Sequence, residues 1–403
     1  MTLDSTRSRR LRLGVIANEA FALEVGRMGG FGWAVRQVAG LFLNEPDLGV
    51  DVTLFVAERP ALVGSLPDTL HDTPIVWPTG SPASQVARAR NAAPDLMLAI
   101  DYRSGYRRWL YAKPRTPVII WVRDPWAPDD RANVRTLRLP DQPDTEPQGV
   151  RGPDPGSLRQ VLGQSRVLGR PVLLGTTARG LAGKVPGTYG ITPRPVRILP
   201  NIVTSAGGPV HKADRPLVVF LARLDPVKRP WLFAALAERF PDVDFIAMGQ
   251  SHFRGPGTWQ PQELPPNLRM FGHAGEEEKQ SILSSAWVLV NTSIHEGLSV
   301  SFLEALAREV PIIASVNPDD VVSRFGTFVG HAQGSGVELL PRFEPALRSM
   351  LGDTAARQRT GEEGRAFVES AHSREAFLAA FSRLIGDAGV TVPDGLQQLE
   401  TVT

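Results

Sequence analysis

Cysteine is absent from the 403-residue chain, which excludes disulfides, thiolate nucleophiles and Cys-ligated metals. An excess of one charge is also lacking. Lys and Arg number 44 against 42 Asp and Glu, a formal net charge of +2, so electrostatics make no case for a nucleic-acid partner. No apolar run approaches the ~18 residues that span a bilayer, and the polar start has no apolar segment of the kind a secretory leader carries. The dinucleotide fingerprint Gly-x-Gly-x-x-Gly cannot be read in the glycine-rich stretch that follows the first apolar segment, and no Walker lysine follows it, which disfavours a dehydrogenase. No repeat of fixed period is evident. The resulting expectation is a cytoplasmic protein in a reducing setting.

What is present is ordinary for a globular chain, with 42% hydrophobic and 21% charged residues and length for about two to three domains. Arg7, Arg9, Arg10 and Arg12 are a local basic exception. They read as a solvated tail, with weak contact to an anionic membrane surface as the sharper alternative. The oligomeric state is not legible.

Residues 291–315 organise the chain. Val288, Leu289 and Val290 end an apolar run, Gly297 allows a sharp turn, and Ser301 with Glu304 match a capping box. Pro311 is expected to stop the helix and residues 312–314 to resume a buried strand. Backbone amides at Leu298, Ser299 and Val300 would then face outward at a helix start, suited to a phosphate or a sugar hydroxyl. Glu296 and Glu304 can point into one crevice and accept bonds from vicinal hydroxyls; the bland alternative makes Glu304 a capping carboxylate and Glu296 an exposed loop acid.

Other segments alternate in the same way. Residues 11–17, 52–56, 96–100 and 118–122 are short apolar strands separated by helix-length stretches, the pattern of parallel βα units. Between the first strand and a helix expected over 33–43 lies a loop with Gly26, Gly29, Gly30 and Gly32, whose backbone could approach a phosphate or could simply turn. Functional residues should lie at carboxyl ends of strands, where Asp101 and the Arg123-Asp124 pair are found. A salt-bridge network among these three is the structural alternative. Residues 129–155 dissolve into Asp, Pro, Arg and Gly and read as a long excursion, with an acceptor lid as one reading. Strands at 172–176 and 196–199 follow, then a small-residue linker at 204–209. The second half opens with a strand over 217–221, after which Arg223 and Lys228 precede a helix near Pro230. Arg offers a planar fork for phosphate oxygens and Lys a point charge. Strands at 244–248 and 268–273 bring in Gly249, Phe271 and His273. His273 and His295 lack partners at metal-ligand spacing and read as structural, and Asp242-Val243-Asp244 precedes its strand, so it reads as a loop feature. Residues 343–351 and 374–385 have helical amphipathic patterns, and the polar tail from Asp387 should be loose. Trp33, Trp109, Trp121 and Trp126 read mostly as core, with sugar stacking as the alternative.

The Glu-x7-Glu pair, set in Glu-Gly-Leu-Ser and Leu-Glu-Ala-Leu-Ala followed by Val-Pro-Ile-Ile-Ala-Ser, resembles the retaining nucleotide-sugar glycosyltransferases of group 1, family 4. Ala-Arg-Leu-Asp-Pro-Val-Lys resembles that family's Gly-Arg-Leu-x-x-x-Lys, with Ala222 in place of Gly. The resemblance implies an α/β protein of GT-B architecture, two Rossmann-like doubly wound domains facing a central cleft. It implies an acceptor domain over 1–200, a nucleotide-sugar donor domain over 201–372, and a segment 373–403 whose helix crosses back to the first domain. It implies catalytic roles for Arg223, Lys228 and Glu296, with the two cations gripping the diphosphate and Glu296 touching the donor sugar. Donor binding would involve Gly29 and Gly30 at the diphosphate, Gly249, Phe271 and His273 around the base, Gly297, Leu298, Ser299 and Val300 at the turn, and Glu304 at the ribose. Asp101, Arg123 and Asp124 would form the acceptor side.

The implied reaction is metal-independent hexosyl transfer to a hydroxyl, with no cofactor beyond the nucleotide-sugar co-substrate. Two departures stand out. Arg123-Asp124 occupies a position where the family often has His, and residues 316–320 replace its usual Gly-Gly and Glu. A sugar-nucleotide epimerase of the same architecture and a catalytically silent nucleotide- or glycan-binding relative are the rival readings.

Overall fold

The computed structural model describes residues 10–17, 30–57, 66–149, 156–205 and 208–400. The chain divides into two compact units, the first comprising Met1–Pro125, Pro153–Ile202 and Arg374–Thr403, the second Trp126–Gly152 and Val203–Ser373.

The first unit is built on eight strands. They are β1 (Leu11–Ala17), β2 (Val50–Val56), β3 (Thr69–Leu70), β4 (Thr73–Val76), β5 (Leu96–Ile100), β6 (Val118–Val122), β7 (Val172–Thr176) and β8 (Val196–Ile198). Their order is β3-β4-β2-β1-β5-β6-β7-β8, and every pairing is parallel except the short β3–β4 ladder. Strands β5 and β6 are buried throughout, as expected of unbroken apolar runs covered on both faces. The order reverses between β1 and β5, which creates a topological switch point at their carboxyl ends.

The second unit has six parallel strands, β9 (Leu217–Leu221), β10 (Asp244–Met248), β11 (Leu268–Gly272), β12 (Val288–Asn291), β13 (Ile312–Ala314) and β14 (Gly326–Phe328), in the order β11-β10-β9-β12-β13-β14. Its switch point falls between β9 and β12.

Several local expectations need correction. The first helix begins at Gly30 and runs to Asn44, so Gly30 and Gly32 are helical rather than part of a loop. Gly26 and Gly29 lie outside the described residues, as do Arg7 and Arg9. Arg10 and Arg12 are not a free basic tail: Arg10 Nε donates to Asp51 at 2.9 Å and Arg12 pairs with Asp95 at 2.8 Å. The excursion after Trp126 is ordered over its described part, with a helix Pro128–Arg135 opened by Asp130, which accepts from the Ala127 amide at 2.7 Å. It buries Trp126, Val134, Leu137 and Leu139 in the core of the second unit. These four apolar residues, spaced through a polar stretch, give it the burial that a loose loop would lack.

The carboxyl-terminal tail is also folded over its described part, to Glu400. The helix Arg374–Asp387 packs Phe377, Leu378 and Phe381 into the first unit's core, with Phe381 5.7 Å from Phe42 and Phe377 5.9 Å from Trp121 between ring centres. A further helix, Asp394–Glu400, fully buries Leu396 in the same core. Val390 and Val392 pack against that core just before the helix. Among the described residues no helix is long and apolar enough to cross a membrane.

Candidate active site

At the switch point of the second unit, the chain leaving β9 carries Arg223 and Lys228, and the chain leaving β12 carries Glu296. Lys228 Nζ lies 2.6 Å from Glu296 Oε1, and both side chains are largely buried. The same oxygen accepts from Asn291 Nδ2 at 3.2 Å and from the Ser293 hydroxyl at 2.8 Å. Three donors on one oxygen fix the carboxylate and hold the ammonium beside it. The loops are joined through the backbone as well: Thr292 Oγ1 donates to the Lys228 carbonyl at 2.7 Å, and the Ile294 amide donates to the Val227 carbonyl at 3.0 Å.

Arg223 is half-exposed and its Nη1 lies 3.0 Å from the buried Asp225. Asp225 also accepts from the His252 amide at 3.1 Å, which ties the loop after β9 to the loop after β10. Arg229, adjacent to Lys228, takes a left-handed conformation with φ of 48° and is fully buried. Its Nη2 donates to the carbonyls of Ala332 and Gly334 at 2.8 and 3.0 Å. Burial lowers its pKa to about 10. Arg229 therefore anchors the loop after β14, while Lys228 is the cation presented at the switch point.

Gly249 follows β10 with φ of 142°. A Cβ there would stand 1.9 Å from the Ala222 carbonyl oxygen, so only glycine fits. Its amide donates to the Gly272 carbonyl at 2.7 Å, setting the turn that carries Phe271 and His273, both half-buried or more open. Arg269 stacks over Phe271 at 4.9 Å. Gly249, Phe271, His273, Arg223, Lys228 and the 296–300 turn thus share the carboxyl edge of one sheet.

The capping-box expectation fails. The helix is Val300–Leu306 with Ser299 as its N-cap and no side-chain cap bond; the Ser299 and Ser301 hydroxyls bond each other at 2.8 Å instead. Glu304 therefore lies one turn into the helix, where its buried Oε1 is 2.5 Å from Lys279 Nζ. Burial raises the Glu304 pKa against the pull of Lys279. Helix end and strand start are separated by a turn with Glu309 at φ of 57°, so Pro311 follows the stop rather than making it. His295 is buried, 3.4 Å from Asp130, with its ring 4.3 Å from that of Trp126. The departing segment 316–320 supports the next helix, because the Asn317 side chain accepts from the Val322 and Ser323 amides at its start, each at 3.0 Å. Asp244 begins β10 and faces Arg215 at 3.2 Å, at the sheet end opposite Gly249.

In the first unit, Asp101 follows β5 with φ of 47° and is buried. Its Oδ1 accepts from the amides of Arg123 at 2.7 Å and Asp124 at 3.1 Å. Burial nevertheless raises its pKa to about 6, against the opposing charge of Arg123. Among the described residues, Asp101 Oδ2 has no hydrogen-bond partner. The Arg123 guanidinium donates twice to Asn201 Oδ1, at 3.1 and 2.7 Å, and once to the Gly30 carbonyl at 2.7 Å, while lying over Trp121. Gly30 thus offers its carbonyl to an arginine at a helix start. Asp101, Arg123 and Asp124 are brought together, but the link from Asp101 to Arg123 is through the backbone amide.

Sequence reasoning did not identify Lys279, Arg229, Asn291, Ser293 or Asp130 as supports of the site. Asn291-Thr292-Ser293, three polar residues immediately after an apolar strand, was the available signal; nothing in the sequence couples Lys279 to Glu304.

Residues 206–325 match the family model described as glycosyl transferases group 1. Among solved structures, the chain is similar to sucrose-phosphate synthase from Thermosynechococcus elongatus, with TM-score 0.66 and 15% identity over 98% of this chain and 100% of that one. It is also similar to Anabaena HepE, solved in complex with UDP-glucose, with TM-score 0.64 and 13% identity over 94% and 100% of the two chains. A third similar structure is WaaG, a glycosyltransferase involved in lipopolysaccharide biosynthesis, with TM-score 0.57 and 13% identity over 94% and 100%. The chain has the GT-B fold, two parallel-sheet α/β domains, and carries the group 1 glycosyltransferase match in the second of them.

Proposed function

We propose that this protein is a retaining glycosyltransferase that moves a hexosyl group from a nucleotide diphosphate sugar to a hydroxyl acceptor without a metal ion. The observation that carries the reading is the Lys228–Glu296 pair at the second switch point, with Arg223 on the same loop as Lys228. The group 1 match spans all three residues, and the similar Anabaena protein was solved with UDP-glucose.

The chemical difficulty is the negative charge that builds on the leaving diphosphate as the bond from the anomeric carbon to the phosphate oxygen breaks. Arg223 and Lys228 stabilise that charge, with a smaller contribution from the amides at Leu298, Ser299 and Val300. Glu296 orients the donor sugar, and Glu304 holds the ribose hydroxyls. The acceptor oxygen bonds to the anomeric carbon on the face the phosphate leaves, and its proton passes to the departing phosphate oxygen. Configuration is thereby retained, and no side chain need act as base. The first unit's Asp101, Arg123 and Asp124 serve the acceptor.

A panel of nucleotide sugars screened by melting shift, followed by donor-hydrolysis and transfer assays, tests this. A donor that stabilises the protein and loses its nucleoside diphosphate supports it. Binding with no turnover marks a silent relative, and donor conversion with no acceptor and no diphosphate release marks an epimerase.

A further inference from the structure

Away from the carboxyl edge of the first sheet, where Asp101 and Arg123 lie, the first unit carries a second concavity. It lies between the helix Gly156–Val167 and the segment linking the helix Val185–Tyr189 to β8, at the amino-terminal end of β7. Its volume is about 690 Å³, and Arg159, Arg166, Arg170 and Arg194 line it together with Gly190 and Thr192. Among the described residues no carboxylate lines it. The sequence shows why: from Pro155 to Ile202 the chain has no Asp or Glu, and the stretch from Tyr102 to Arg123, which supplies the neighbouring helix, has none either.

Arg170 is only 5% exposed. Its guanidinium is held by neutral acceptors, the Leu110 carbonyl at 2.8 Å and the Ser165 hydroxyl at 2.7 Å. Arg170 Nε also donates to the Ser165 hydroxyl at 3.0 Å, so the guanidinium is held as a fixed positive charge at the base of the concavity, with no carboxylate among the described lining residues to neutralise it. Arg159 Nε is spent on the Gly190 carbonyl at 2.5 Å, which leaves its terminal nitrogens for another acceptor, and Arg166 and Arg194 are exposed at the rim. The forks of Arg159, Arg166 and Arg194, lining one concavity with the buried charge of Arg170, suit the oxygens of a phosphate group.

We propose that this concavity is a binding site for a phosphate-bearing anion, separate from the switch point of the second unit. The shared chemistry is a phosphate mono- or diester, which a small metabolite and a lipid headgroup both offer.

The test uses the full chain and two probes. Glycerol 3-phosphate, a phosphate monoester without the diphosphate proposed for the switch point of the second unit, is titrated calorimetrically, and co-sedimentation is measured with vesicles of phosphatidylglycerol and phosphatidylcholine in equal parts against phosphatidylcholine alone. The double variant Arg166→Glu with Arg194→Glu is compared with wild type, and Arg166→Gln with Arg194→Gln serves if charge reversal impairs folding. A control pair, Arg90→Glu with Arg359→Glu, carries the same change in net charge elsewhere. The site predicts that wild type binds at least one probe, that the rim variant loses about tenfold or more in affinity, and that the control pair keeps it. Loss confined to glycerol 3-phosphate identifies a soluble ligand, and loss confined to the anionic vesicles identifies a headgroup. Absence of binding by wild type to both probes, or equal binding by wild type and rim variant, overturns the proposal.

Discussion

Lys228 and Glu296, 68 residues apart in sequence, are joined by a 2.6 Å bond between Nζ and Oε1. The pair holds a cation in place at the end of β9 before any ligand arrives. In the proposed mechanism the ammonium of so buried a site is worth more to a developing phosphate charge than it would be in water. Lys228→Ala should therefore lower kcat by ~10² or more while weakening nucleotide binding far less. Steady-state kinetics beside calorimetric titration of the nucleotide separate the two effects; an unchanged kcat removes Lys228 from the chemistry.

Glu304 is claimed twice, by Lys279 in the structure and by the ribose in the proposed mechanism. Glu304→Gln keeps an oxygen acceptor for Lys279 but loses the charge. Nucleotide affinity should fall by about tenfold, the worth of one hydrogen bond to a charged group. A variant that melts lower yet binds the nucleoside diphosphate as tightly as wild type would make the pair with Lys279 the whole of its role.

The fold was legible where apolar runs of five to seven residues form strands. The strands at 11–17, 96–100, 118–122, 172–176, 217–221 and 244–248 stand where their apolar runs place them, because each is long enough to declare itself. The two-residue β3, the four-residue β4 and the three-residue β14 carry too few side chains to show a period. The excursion after Trp126 and the tail around Leu396 misled because isolated apolar anchors in polar sequence look like loop residues until a core is present to receive them. In the candidate site, Arg223, Lys228 and Glu296 were readable as a motif. Their clamps, Asn291, Ser293 and Asp225, act through distances that spacing does not convey.

Asp101 gives a prediction in pH. Its folded pKa, raised from 3.8 to about 6, means that the folded state holds the proton more tightly than the unfolded state. Stability contributed by this group is present below about pH 4 and is lost as pH rises towards 6, by up to about 3 kcal/mol. Asp101→Asn keeps an acceptor for the Arg123 and Asp124 amides and cannot ionise. Its melting temperature should exceed that of wild type at pH 7 and match it near pH 4. An offset that is the same at both values contradicts the assignment.

The proposed mechanism uses two cations in place of a divalent ion, which implies indifference to chelation. Transfer activity measured after exhaustive treatment with EDTA should equal that of the untreated protein. Activity lost to EDTA and restored by magnesium or manganese would return Asp242 and Asp244 to consideration.

The most direct measurement is a crystal structure of the protein with UDP or GDP bound. The diphosphate is expected within hydrogen-bonding distance of Arg223 and Lys228, with the ribose at Glu304. A nucleotide lodged remote from residues 223–228 and 296–304 would contradict the assignment of the donor site.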